Sequence, residues 1–108
     1  MKLGIKDRLV LLQVIPGDLE LSFSEFMAKK AFMSKLTISD EDKKEFEIET
    51  DEASNSIKWN VKKDIENPLT IEVDQATKDW LKKTMEAISD KKYTDSVWDT
   101  LERVFNGI

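Results

Sequence analysis

The apolar residues of this chain repeat at every second position in its middle and at helical spacing towards both ends. Phe46 and Ile48 alternate with glutamates, which is typical of a strand with one buried face. Ile57, Trp59 and Val61 alternate with polar residues in the same way. This change of period predicts an α+β fold in one domain spanning all 108 residues, with N-terminal helices, a central antiparallel β-hairpin and C-terminal helices.

The first predicted helix covers about residues 5–15. Ile5, Leu9 and Leu12 recur on one of its faces at helical spacing, and Val10 and Val14 widen this apolar stripe. Pro16 then ends the helix, because proline lacks the backbone donor and its ring clashes with the preceding turn.

The second and third predicted helices begin at capping residues. Ser22 and Glu25 have the S-x-x-E spacing of a capping box, and the helix continues to about Leu36. Its predicted core face consists of Phe23, Phe26, Met27, Ala31 and Met33, with Lys30 on the same side. Ser39 caps a short third helix over about residues 40–45, which begins with three acids that the helix dipole favours.

Beyond the hairpin the sequence predicts one strand and two helices. Leu69, Ile71 and Val73 alternate with polar residues, and this third strand would extend the hairpin to a three-stranded sheet. Asp74 caps the next helix and Thr94 caps the last, so that the two form a C-terminal αα-hairpin. Their apolar faces comprise Thr77, Trp80, Leu81, Thr84, Met85 and Ile88 in the first, and Val97, Trp98, Leu101, Val104 and Phe105 in the second. All three tryptophans are therefore expected in the core, and three helices followed by a hairpin have a winged-helix-like order.

The negative charge is concentrated in one segment. Residues 40–52 hold eight carboxylates and two lysines and so carry −6, whereas the remaining 95 residues carry +1. Four of these acids lie on the outer face and tip of the predicted hairpin and are the candidate partner-binding residues: Glu47, Glu49, Asp51 and Glu52. Lys58 and Lys62 would neutralise part of this charge across the hairpin. An alternative is that the cluster only keeps the domain soluble.

The composition argues against catalysis. The chain has no histidine for proton transfer near neutral pH, no cysteine for a thiolate nucleophile or metal ligand, and only three scattered glycines for a phosphate-binding loop. A calcium loop starting at Asp40 fails, because Lys44 replaces a ligand and Glu45 replaces the required glycine. We therefore expect no enzyme activity, no cofactor and no metal site.

Charge and hydropathy also bear on partners and location. A net charge of −5 argues against nucleic-acid binding, which depends on lysine and arginine contacts to phosphates, although Lys62-Lys63 and Lys82-Lys83 are local basic patches. No segment approaches the roughly 18 consecutive apolar residues of a membrane span, and the N-terminal region lacks a signal-peptide pattern. We expect a cytoplasmic protein with no membrane partner.

Three parts of the chain resemble known proteins. The opening reads K-L-x-I-K-x-R-L-x-L-L from Lys2 to Leu12 and is followed by Ile15-Pro16. The middle part comprises residues 44–48, followed later by residues 57–60, and the third part is the ending, a capped helix followed by a short one. All three are similar to a group of small uncharacterised phage and prophage proteins. The resemblance implies a viral or mobile-element origin and a bacterial host cytoplasm, and it supplies no site residues.

Taken with the composition, this predicts a non-enzymatic, phage-type accessory protein that acts through protein–protein interaction. The acidic hairpin would be its contact surface and the partner would carry a basic surface. One alternative is a structural or assembly component that forms an oligomer. Another is a winged-helix-like transcription or nucleic-acid regulator. The sequence leaves the oligomeric state open.

Overall fold

Helices form most of the protein, and its strands are short and pair antiparallel. The computed structural model describes residues 1–51, 53–54 and 56–106. The helices are α1 (Ile5–Val14), α2 (Phe23–Leu36), α3 (Asp40–Glu45), α4 (Val61–Glu66), α5 (Gln75–Ile88) and α6 (Asp95–Asn106). The strands are β1 (Lys2–Leu3), β2 (Glu49–Asp51), β3 (Ser56–Lys58) and β4 (Leu69–Thr70). The predicted α+β class is confirmed, and no described helix has the length and apolar character needed to cross a bilayer.

The predicted capping residues begin three of the helices. The side chains of Ser22, Ser39 and Asp74 each accept a hydrogen bond from the backbone N–H three residues further on, at 3.2, 3.2 and 2.8 Å. These bonds satisfy donors that lack a partner within the helix. They confirm the predicted starts of α2, α3 and α5.

The strands form two separate two-stranded sheets. β2 and β3 make the predicted antiparallel hairpin, with Thr50 opposite Ile57. Phe46 and Ile48 were expected on its first strand but precede β2, and Phe46 is the C-cap residue of α3. The third predicted strand does not extend this hairpin: it is shortened to β4 and pairs with β1, an N-terminal strand that the alternation did not indicate. Two-residue strands are too short to show a period, and their pairing joins residues almost 70 positions apart.

A fourth helix replaces the end of the second hairpin strand. Val61 was expected to continue that strand, but it is the first residue of α4, which the Asn60 side chain caps by accepting from Lys63 N at 3.1 Å. Asp64 of α4 accepts from the backbone N–H of Ile5 at 3.0 and 3.2 Å and so satisfies the start of α1. Trp59, just before α4, is half-buried and lies outside the core, contrary to expectation.

One hydrophobic core joins both ends of the chain. Its buried members are Leu3, Val10, Leu11, Val14, Phe32, Leu36, Ile71, Trp80, Leu81, Ile88, Leu101 and Val104. Trp80 is completely buried and meets Phe32 edge to face, with ring centroids 5.4 Å apart. The predicted apolar faces of α5 and α6 therefore do face the core.

The predicted face of α1 was largely confirmed, and that of α2 was largely wrong. In α1, the predicted residues Ile5, Val10 and Val14 are buried together with Leu11, whereas Leu12 is exposed. In α2 the buried residues are Phe32 and Leu36. Four members of the predicted apolar core face are instead exposed, namely Phe23, Phe26, Met27 and Ala31. Helix α2 carries apolar residues on two sides, so its period alone does not define which side is buried.

Two charged neighbours in α1 hold the helices together. The Arg8 guanidinium is 4% exposed and donates to the backbone oxygens of Leu36 and Thr37, at 3.1 and 2.7 Å, and to Asp42 at 3.0 Å. It thereby caps the C-terminal end of α2 and joins it to α3. Asp7 is 5% exposed and accepts two hydrogen bonds from Arg103 of α6, at 2.6 and 3.3 Å.

We expect Arg8→Ala to lower the free energy of unfolding by about 3 kcal/mol, because it leaves two carbonyls and a partly buried carboxylate without their donor. Urea unfolding followed by circular dichroism measures this change. Lys6→Ala, an exposed change in the same helix, should stay within about 0.5 kcal/mol. Equal effects of the two substitutions would contradict this account of Arg8.

Candidate protein-interaction surfaces

The four predicted partner-binding acids do not form one patch. Glu49 and Asp51 lie on β2, and both side chains share the face that carries Lys58 and Ser56 on β3. Glu47 was expected on the same strand face but precedes β2, and its φ of 52° places it in the left-handed region. Glu52 lies outside the described residues.

Glu47 contacts its own chain. It accepts a hydrogen bond from the side-chain amide of Asn60 and lies 3.7 Å from the ammonium of Lys63. The Asn60 hydrogen bond and then the Lys63 charge hold the pKa of Glu47 below its usual value. Lys63, and not the predicted Lys62, therefore balances this acid.

Asp51 stabilises the turn of the hairpin. Its Oδ1 accepts from the backbone N–H groups of Ala53 and Ser54, at 3.0 and 3.4 Å. Hydrogen bonds from Ser54 and Ala53 lower the pKa of the Asp51 carboxyl. Of the described acids in the predicted set, two are thus already used within the molecule, and partner binding by the set stays a prediction.

A groove between α2 and α5 is a surface that the sequence reasoning missed. Its volume is about 440 Å³. Its apolar lining includes Phe23, Met27, Ala31, Phe32, Ile71 and Ala76, and Thr77 of α5 also lines it. The Phe23 side chain is 78% exposed and Met27 is also exposed, so one wall of the groove presents large apolar side chains to water. We call this surface the α2 groove.

The α2 groove exists because α2 has two apolar sides. Phe23, Met27 and Ala31 are spaced at i, i+4 and i+8, which aligns them in one row along the helix. Phe32 and Leu36 form the opposite side and occupy the core. The core needs only the side of α2 that carries Phe32 and Leu36. The additional apolar row on the other side is the sequence signal that could have indicated an exposed surface.

Charged residues lie at the edge of the groove. Glu72 and Asp74 stand on one wall and Lys35 on the other. Hydrogen bonds from Thr77, with a smaller effect of the Lys35 charge, lower the pKa of Asp74. The edge therefore carries two carboxylates against one ammonium at neutral pH.

The carboxyl groups with shifted pKa values are all shifted in the same direction. Every described carboxylate whose pKa departs from its usual value is made more acidic: Glu25, Asp42, Glu47, Asp51 and Asp74. A carboxylic acid that donates protons near neutral pH needs the opposite shift. Within the described part of the chain, no group of three or more acids is arranged to hold a metal ion.

Comparisons with known proteins identify no relative. No protein-family model, curated protein or solved structure matches the chain significantly. Inference of function therefore depends on the two surfaces described above, the acidic hairpin and the α2 groove.

The lowered carboxyl pKa values predict how stability depends on pH. A carboxylate with a depressed pKa stabilises the folded state above its unfolded pKa, and this contribution is lost as the pH falls through the folded value. Because the chain has no histidine, the free energy of unfolding should be constant from about pH 5.5 to 7 and should fall below about pH 4.5.

Urea unfolding at a series of pH values tests this. Asp74→Asn is the matched variant, because asparagine also caps a helix but does not titrate. Below about pH 4.5, the free energy of unfolding of this variant should fall less steeply with decreasing pH than that of the parent protein. Stability that rises on acidification, or that changes between about pH 5.5 and 7, would contradict the prediction.

Proposed function

We propose that this protein is non-enzymatic and acts by binding a partner protein, of which an apolar segment occupies the α2 groove. The observation that carries the proposal is the exposed row of Phe23 and Met27 beside an open groove of about 440 Å³. Large apolar side chains gathered on the surface of a small domain are typical of interaction sites, because a partner that covers them removes apolar area from water.

The charges at the groove favour a partner with a basic side. Glu72 and Asp74 outnumber Lys35 at its edge, and the whole chain carries −5. An amphipathic helix with apolar residues on one side and lysines or arginines beside them would match both features. This keeps the expectation of a basic partner but moves the contact from the hairpin to the groove.

The resemblance of the opening and middle segments to phage and prophage proteins supports an accessory role in a bacterial host cytoplasm. The genes adjacent to the coding sequence test this part of the proposal. Phage structural or regulatory genes on either side would support it, and housekeeping genes on both sides would argue against it.

A designed peptide tests groove binding directly. The probe is a peptide about as long as the 14-residue α2, with leucines at helical spacing on one side and lysines beside them. We expect it to shift the backbone amide NMR signals of Met27, Ala31 and Thr77. Replacing its lysines with glutamates should weaken binding about 5-fold, since an exposed charge pair contributes up to about 1 kcal/mol.

Two phenylalanines of α2 provide matched variants. Phe23 lines the groove, whereas Phe26 is also exposed but does not line it. Phe23→Ser should raise the dissociation constant about 10-fold or more and Phe26→Ser should change it less than about 2-fold, with similar stability in both.

A charge reversal separates the groove from the hairpin. Glu72→Lys should abolish the preference for the basic peptide, and Glu49→Lys should not. Equal binding by the two phenylalanine variants, or amide shifts confined to residues 49–58, would contradict binding in the groove.

A further inference from the structure

The β2–β3 hairpin has both of its faces in water. All three residues of β2 are exposed, and Ile57 of β3 is 41% exposed. Among the described elements, each of these strands makes its main contacts with the other. An isolated two-stranded hairpin is marginally stable in water, and further strands or a covering element are needed to stabilise it.

The pairing register sorts the hairpin side chains by face. Glu49 opposite Lys58 and Asp51 opposite Ser56 occupy one face, and Thr50 opposite Ile57 occupies the other. Each strand also has an outer edge, where the backbone groups of alternate residues point away from the hairpin. Either edge has the geometry to accept another strand.

We propose that two copies of this chain associate by antiparallel pairing of their β3 strands about a two-fold axis at Ile57. The result is a four-stranded sheet in the order β2, β3, β3, β2. This surface differs from the α2 groove, so the inference does not depend on the proposed function.

The charges select β3 over β2 as the paired edge. Two β2 strands centred on Thr50 would place Glu49 of each copy opposite Asp51 of the other, and like charges directly opposite are destabilising. Two β3 strands centred on Ile57 place Lys58 opposite the uncharged Ser56 of the second copy. Lys58 then lies between Ser56 of that copy and Glu49 of its own chain, so no like charges meet in adjacent strands.

The opposite face of the sheet gains apolar pairs. Its central row would read Thr50, Ile57, Ile57, Thr50 across the four strands, and β-branched residues pack well in such rows. Beside Ile57, a shallow cavity of about 330 Å³ is lined in part by Trp59 and by Val61, which is 58% exposed. The second copy would cover part of this apolar surface, which is removed from the hydrophobic core.

Two three-residue strands make a small interface, so the association should be weak. We expect light scattering to give the monomer mass of 12.5 kDa at about 10 μM and a rising mean mass towards about 1 mM. A mass that stays at the monomer value over this range would overturn the proposal.

A single cysteine tests the register, because the chain has no cysteine of its own. In the proposed sheet, residue 57 of one copy lies directly opposite residue 57 of the other, with Cβ atoms about 5 Å apart, near the spacing of a disulfide. Ile57→Cys should therefore form a dimeric disulfide under mild oxidation at least about 10-fold faster than Lys58→Cys, whose counterpart is displaced along the strand.

Ile65→Cys is the control for random collisions. Ile65 is 74% exposed on α4 and lies outside the proposed contact. Circular dichroism spectra of the variants check that each exposed substitution preserves the fold. If Ile57→Cys crosslinks no faster than Ile65→Cys, the proposed pairing of the two β3 strands is wrong. If Lys58→Cys crosslinks faster than Ile57→Cys, the two-fold axis does not lie at Ile57.

Discussion

The buried guanidinium of Arg8 fixes how the first three helices meet. Its three hydrogen bonds hold the last carbonyls of α2 and the first turn of α3 against α1. With that end of α2 held, Phe32 and Leu36 point into the core and the row of Phe23 and Met27 points to water. The Arg8 contact lies at the opposite end of α2 from Phe23 and Met27. A buried charge of this kind needs compensating partners, and Arg8 has them in Leu36, Thr37 and Asp42.

Local signals predicted a large part of the fold. The starts of α2, α3 and α5 depend on a capping side chain and the backbone three residues later, and both are visible in the sequence. The faces of α5 and α6 were predictable because each helix has a single apolar stripe. The face of α2 was not, since apolar residues lie on two sides of this helix and the buried side depends on tertiary contacts.

In the acidic segment, too, the sequence predicted the local features but not the tertiary contacts. Its charge and its helix–hairpin organisation were evident from residues 40–52. The contacts of its individual acids were not: Asp42 binds Arg8 across 34 positions, and Glu47 binds Asn60 and Lys63 because α4 follows the hairpin. Helix α4 itself was missed, since Val61 continued the alternation of the strand while Asn60 capped a helix. The groove was missed for the reason that misled the prediction of α2: a stripe of apolar residues was assumed to be buried.

The Asp7–Arg103 pair also determines when the chain can complete its fold during synthesis. The two residues are 96 positions apart, and α1 packs against both α2 and α6. At a synthesis rate of about 5–20 residues per second, the ribosome adds Arg103 roughly 5–20 s after Asp7. Throughout that interval the buried side of α1 lacks its last covering helix. The native core therefore closes only when α6 has been made.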